Sequence, residues 1–229
     1  MRFFACSLLA CFSIISLVSL SVAQQIATGD DRIMRLFLAA QTDDTGGILQ
    51  ELDQGVPIDS RDANGRTALL LATRANAIDA ARLLIDAGAD VNAKDNLQDS
   101  PYLYAGAEGR LEILEMTVGA GADLGSVNRY GGTALIPAAH HGHVDVVRYL
   151  LTTEVDIDHV NYLGWTALLE AVILGDGGTT YQMIVELLLS GGADPAISDK
   201  QGVTALEHAK ARNMDEIVRL IELAVDSDG

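Results

Sequence analysis

The chain has 229 residues, of which 49% are hydrophobic and only 5% aromatic. That is enough for one sizeable domain, with a core of Leu, Val, Ile and Ala, and the abundance of Ala and Leu favours helix. Lys and Arg number 15 against 32 Asp and Glu, a formal net charge of −17. This balance excludes a basic nucleic-acid footprint and electrostatic adsorption to an anionic membrane.

The amino terminus reads as a targeting segment. Arg2 precedes an uncharged apolar run over residues 3–22, and Ser21-Val22-Ala23 places small residues where a signal peptidase reads. Cleavage before Gln24 leaves 24–31 as a short linker and implies export, into a bacterial periplasm. An uncleaved anchor is the alternative. Cleavage also removes Cys6 and Cys11, the only cysteines. The mature chain then has neither a disulfide nor a thiolate metal site.

From residue 32 onward the chain repeats. Thr67, Ser100, Thr133 and Thr166 stand 33 residues apart, and Thr204 follows after 38. Each heads a similar hexapeptide, from Thr67-Ala68-Leu69-Leu70-Leu71-Ala72 to Thr204-Ala205-Leu206-Glu207-His208-Ala209. A glycine lies two places before the hydroxyl residue at Gly65, Gly131, Gly164 and Gly202, with Gln98 in its place once. Gly-Ala-Asp recurs at Gly88, Gly121 and Gly192. The hydroxyl residue is placed to cap a first helix. In the unit of Thr133, Leu135, Ala138 and Ala139 give that helix an apolar face. Gly142 suits a left-handed turn, and Val144, Val147, Leu150 and Leu151 stripe a second helix.

A 33-residue period with this signature resembles the ankyrin repeat. The resemblance implies an all-α solenoid of helix-turn-helix units joined by short β-hairpin loops. The units are a degenerate cap over 32–64 with helices at 32–40 and 47–52, internal repeats over 65–97, 98–130, 131–163 and 164–201, and a closing unit over 202–229. The second helix of the closing unit, 215–225, carries Asp215, Glu216, Arg219 and Glu222 for the uncovered end of the stack. Four departures stand out. The proline after the capping residue survives only as Pro101, and the histidine of the family hexapeptide is absent. Pro137 interrupts the first helix of its repeat and should bend it. Five extra residues fall within 175–182 and should protrude between two helices.

No catalytic motif is present, and no cofactor is implied. His140, His141 and His143 form the one tempting cluster. Adjacent helical residues point about 100° apart and chelate poorly, so no metal site is assigned. His143 stands where the family pattern has histidine and is expected to cap the second helix.

In ankyrin proteins, partners meet the hairpin tips and the exposed side of the first helices. By register these positions include Arg66 and Arg74; Leu97, Asp99 and Glu108; Arg129, Tyr130, His140 and His141; and Tyr162, Leu163, Trp165, Ile173 and Leu174. Apolar and aromatic residues crowd the third and fourth repeats, as interaction sites do. Tyr130, Tyr162 and Trp165 should line one concave edge. The expected function is a non-catalytic, monomeric, exported scaffold for a protein partner, with no nucleic acid, no small-molecule substrate and no membrane contact beyond the leader. One alternative is an inhibitor or immunity-type protein that neutralises a basic toxin or enzyme. A less favoured one is a histidine-dependent metal carrier or enzyme.

Overall fold

The hydroxyl residue at the head of each unit caps its first helix in four units of five. Thr67, Ser100 and Thr166 each accept a hydrogen bond from the backbone N–H three residues on, at 3.2 Å. Thr204 does the same for Glu207, whose carboxylate bonds back to the Thr204 N–H, closing a capping box. The helices that follow are cut off by left-handed residues at a 33-residue spacing: Asp43, Asn76, Gly109 and Gly142.

The computed structural model describes residues 29–227. Six helix pairs run through them. They are α1 (Gly29–Gln41) with α2 (Thr45–Asp53), α3 (Ala68–Ala75) with α4 (Ile78–Asp86), and α5 (Pro101–Ala107) with α6 (Leu111–Gly119). Then come α7 (Leu135–His140) with α8 (Val144–Leu150), α9 (Ala167–Leu174) with α10 (Thr179–Ser190), and α11 (Ala205–Ala211) with α12 (Asp215–Ser227). The odd-numbered helices pack in one row and the even-numbered in another. The core lies between the rows, with Leu69, Leu84, Leu114, Leu135, Leu150 and Leu169 fully buried in it. The expected solenoid is therefore observed. The expected leader and most of the expected linker lie outside the described residues, and α1 begins at Gly29, three residues before the expected start.

Hairpins join the units, and one Asx residue organises each. Oδ1 of Asp62, Asp95, Asn128, Asn161 and Asp199 accepts the backbone N–H groups two and four residues on. The residue three on is left-handed, which explains the glycine of the repeat. Gln98 takes that conformation at φ 66° without glycine's freedom. The hairpins are turns rather than ladders: among the described residues the isolated β-bridge is Ser198 with Thr204. Neighbouring tips are stitched by Asn96 N–H to Asn64 O and Tyr162 N–H to Tyr130 O, both 2.9 Å.

Five expectations need correction. Thr133 does not cap α7. Elsewhere the residue four after the cap donates to the cap carbonyl, as Leu71, Tyr104, Glu170 and His208 do. Here that residue is Pro137, which has no N–H. The helix starts one residue late, its first bond running from Ala138 to Ala134 at 3.3 Å. Pro137 then sits in the first turn, where no intrahelical donor is needed, and the expected mid-helix bend has no cause. Thr133 Oγ1 is left buried without a hydrogen-bond partner. Thr133→Val is thus expected to leave the urea midpoint unchanged or slightly raised, whereas Thr67→Val should cost about 1 kcal/mol.

The five extra residues do not form a protruding loop. Thr179 onward lengthens α10 to 12 residues, leaving a short connection at 175–178. Tyr181 turns back so that its hydroxyl donates to the His140 carbonyl at 2.8 Å. His143 does not cap α8 with its ring; Nε2 reaches the Ala107 carbonyl of the preceding repeat at 3.2 Å. At the closing end Asp215, Arg219 and Glu222 are exposed as expected, while Glu216 is half-buried and paired with Arg219.

Candidate functional site

The hairpins and the row α3, α5, α7 and α9 enclose a groove of about 550 Å³. Of the eleven residues picked from the sequence, Arg74, Arg129, Tyr130, His140, His141, Leu163, Trp165 and Leu174 line it. So do Leu97, Asp99 and Glu108. Trp165 is half-buried, one side against the core and the other on the groove.

Three candidates fall outside. Arg66 is bound to Asp62 at 2.7 Å and borders a smaller hollow beside Met34 and Leu38 of α1. Tyr162 is 67% exposed, but its ring covers Gly131, where a Cβ would lie 2.5 Å away. A three-aromatic edge therefore does not form: Tyr130 and Trp165 face the groove and Tyr162 does not. Ile173 is half-buried, and its carbonyl accepts from Arg212 at 2.6 Å.

The charges of the groove are unevenly committed. Arg74 lies 4.5 Å over the Tyr104 ring. Arg129 lies 4.8 Å over the Tyr130 ring and 3.6 Å from Asp99. Burial and the neighbouring Asp95 push the Asp99 carboxyl up. Glu170, which also lines the groove, is strongly perturbed. It is 6% exposed, and burial pushes its carboxyl up to about 7, against the opposing hydrogen bond from Asn161. Asn161 Nδ2 donates to Oε1 at 2.8 Å, and His140 Nδ1 stands 3.6 Å from Oε2.

The histidines act as a clamp between repeats. His141 Nδ1 and His143 Nε2 both bond the Ala107 carbonyl, at 2.6 and 3.2 Å. A carbonyl only accepts, so both nitrogens carry hydrogen. Burial, and His141 beside them, lower His140 and His143. Among the described residues no group of three or more His, Cys, Asp or Glu is placed to hold a metal.

Sequence reasoning passed over Glu170, Asn161, Tyr104, Ile136 and Pro137. A signal for the first existed. Glu170 follows Leu169 in the hexapeptide, at the register position that Leu71 fills in the first repeat.

The comparisons agree with this architecture. A profile of three consecutive ankyrin repeats matches residues 36–127 and 102–199. The chain belongs to the ankyrin-repeat family. An ankyrin repeat domain from Acinetobacter baumannii AYE is 60% identical, with a TM-score of 0.80, over 82% of this chain and 96% of that one. EF0377, another ankyrin repeat protein, is 44% identical with a TM-score of 0.80, over 83% of this chain and 97% of its own. The ankyrin repeat domain of Bcl-3, an IkappaB family member, is 26% identical with a TM-score of 0.75, over 83% and 85% of the two chains. The Escherichia coli K12 ankyrin repeat protein YahD is 50% identical over 52 residues, 23% of this chain and 26% of that protein. The match thus spans about a quarter of that relative. Ankyrin repeats generally bind protein partners and are generally non-catalytic, and this chain is a protein-interaction scaffold in that sense.

Proposed function

We propose that the chain is an exported, non-catalytic, monomeric scaffold that seats one protein partner in the groove between its hairpins and α3, α5, α7 and α9. The observation that carries this reading is the groove itself. It joins an apolar wall of Leu97, Leu163, Leu174 and Trp165 to charged and aromatic groups from consecutive repeats. Export rests on the leader at residues 1–23. The test for it is amino-terminal sequencing of protein recovered from the periplasm, where Gln24 is the expected first residue.

The mature chain, used as bait in a periplasmic extract, should capture a specific protein. Trp165→Ala should weaken that capture by about 2 kcal/mol or more, as truncation of a hot-spot aromatic does. The far-ultraviolet circular dichroism should stay the same. If the variant unfolds while binding per folded molecule persists, the indole serves the core alone. An inhibitor of a basic enzyme or toxin is the second reading. The net charge of −17 favours it through steered association.

A further inference from the structure

We infer that the groove receives an arginine side chain of the partner protein on Oε2 of Glu170, the carboxylate oxygen that holds no hydrogen bond. The inference rests on the scaffold reading above and adds the chemistry of the occupant.

Consider which charges in the groove are already spent. Arg74 is stacked on Tyr104, and Arg129 is shared between Tyr130 and Asp99. Glu170 gives Oε1 to Asn161. Among the described residues no hydrogen bond reaches Oε2; its neighbour is His140 Nδ1 at 3.6 Å, close enough to pair with it when protonated, but burial and His141 hold that imidazole towards the neutral form. Glu108 lines the groove with no ion pair among the described residues. The charge left open to a guest is therefore negative.

The closing unit supplies the contrast. Asp199 and His208 stand nine residues apart, and Asp199 Oδ2 meets His208 Nε2 at 2.7 Å. Asn161 and Glu170 hold the same two positions one unit earlier, with the same separation. There the hairpin residue is a neutral amide and the helix residue is the acid. The pair fixes the hairpin but leaves the carboxylate charge uncancelled. Nor does the fold need an acid at this position: Leu71 fills it, buried, in the first repeat. An ionisable group that lines a groove where an apolar one fits, with one oxygen holding no hydrogen bond and only a neutral imidazole beside it, points to a cationic guest. Arginine fits better than lysine. Its planar head meets a carboxylate and stacks on Trp165 together, while its methylenes lie along Leu163 and Leu174.

Binding should then be linked to protons. The helices packed against α9 carry few groups that bear on Glu170. From α7 come His140 and His141. On α10, Tyr181 is bonded to the His140 carbonyl and Glu186 is exposed. On α11, Glu207 bonds Thr204, His208 holds Asp199 and Lys210 pairs with Glu222, and Arg212 just past its end donates to the Val172 and Ile173 carbonyls of α9. Across the groove Asp99 is engaged with Arg129. Burial holds Glu170 near 7, so a guanidinium selects the ionised form and expels a proton below that pH. Affinity should climb about tenfold per pH unit up to neutrality and level off above it. Protonated His140 repels the guest and acts in the same direction.

Trp165 is the single tryptophan of the chain and lines the groove, so its emission reports occupancy. The probes are the peptides acetyl-Ala-Leu-Arg-Leu-Ala-amide and acetyl-Ala-Leu-Gln-Leu-Ala-amide, titrated into the mature chain at pH 5.5 and 8. The arginine peptide should bind at least tenfold tighter than the glutamine peptide at pH 8 and lose most of that preference at pH 5.5. Glu170→Gln keeps an oxygen for Asn161. It should abolish both the preference and its pH dependence, leaving the glutamine peptide unaffected. Equal binding of the two peptides, no binding of the arginine peptide at pH 8, or full preference in Glu170→Gln would each overturn the inference. Protein capture from extract that persists alongside such a result would show that the scaffold reading stands without it. Arginine selection with no captured protein would show the reverse.

Discussion

Glu170→Gln is expected to raise the unfolding free energy at pH 8.5 by about 3 kcal/mol and to leave it almost unchanged at pH 4. Burial lifts the folded carboxyl from 4.5 to about 7. A group raised in this way contributes stability that is fully present below its unfolded value and is lost as pH rises through its folded value. At pH 4 both the folded and the unfolded chain hold the proton, so the carboxyl is equivalent to an amide. At pH 8.5 the folded chain must keep a carboxylate with 8% side-chain exposure, at about 1.4 kcal/mol per unit of displacement. Glutamine removes that charge and keeps the acceptor for Asn161. The lowered His140 and His143 work in the opposite sense, their contribution being lost as pH falls below 6.5. They are common to both chains and largely cancel in the difference. Urea unfolding of the two proteins at four pH values between 4 and 8.5 checks the result. A difference that stays flat with pH would mean that the carboxyl is not held up by burial.

Glu170 is also a residue whose burial and partners the sequence does not show, and the reason is physical. The 33-residue period is a local signal. Thr67, Ser100, Thr166 and Thr204 cap helices because the chain within a few residues demands it, and Gly65, Gly131, Gly164 and Gly202 are left-handed because the Asx residue before them closes the turn. Such features were legible, and register then placed eight of the eleven candidates on the groove. The failures are those in which a neighbour decides. Thr133 lost its capping role to Pro137 four residues on. Tyr162 is a tip residue by register, yet the bare backbone of Gly131 one repeat earlier gives its ring a seat. The inserted residues found His140 and Met214 to rest against, and Tyr181 and Gly177 were drawn inward. Glu170 reads as one more helical glutamate until α7 and the 161–165 turn close over it.

Leu150→Ala should cost about 2–5 kcal/mol and split the unfolding transition in two. Leu150 is fully buried on α8, which packs against α6 on one side and α10 on the other. The stack is quasi-one-dimensional, so stability is intrinsic repeat stability plus the coupling of neighbours. The third repeat is poorly supported by its own chain. Thr133 leaves α7 uncapped, and α7 and α8 have only 6 and 7 residues. Glu154 stands where the other repeats have the glycine of Gly-Ala-Asp, and Thr153 instead bonds the Leu150 carbonyl through both its amide, at 2.9 Å, and its hydroxyl, at 2.6 Å. This repeat is held chiefly by what packs on it, and Leu150 is the largest fully buried side chain of α8. Its loss weakens the third internal repeat, through which the first two are coupled to the fourth and the closing unit. Trp165 emission reports the carboxy-terminal side of that link, while far-ultraviolet circular dichroism reports the whole chain. The two urea curves should coincide in the wild type and separate in Leu150→Ala. An unchanged midpoint with coincident curves would place Leu150 outside the core and shift the helical register of the third repeat.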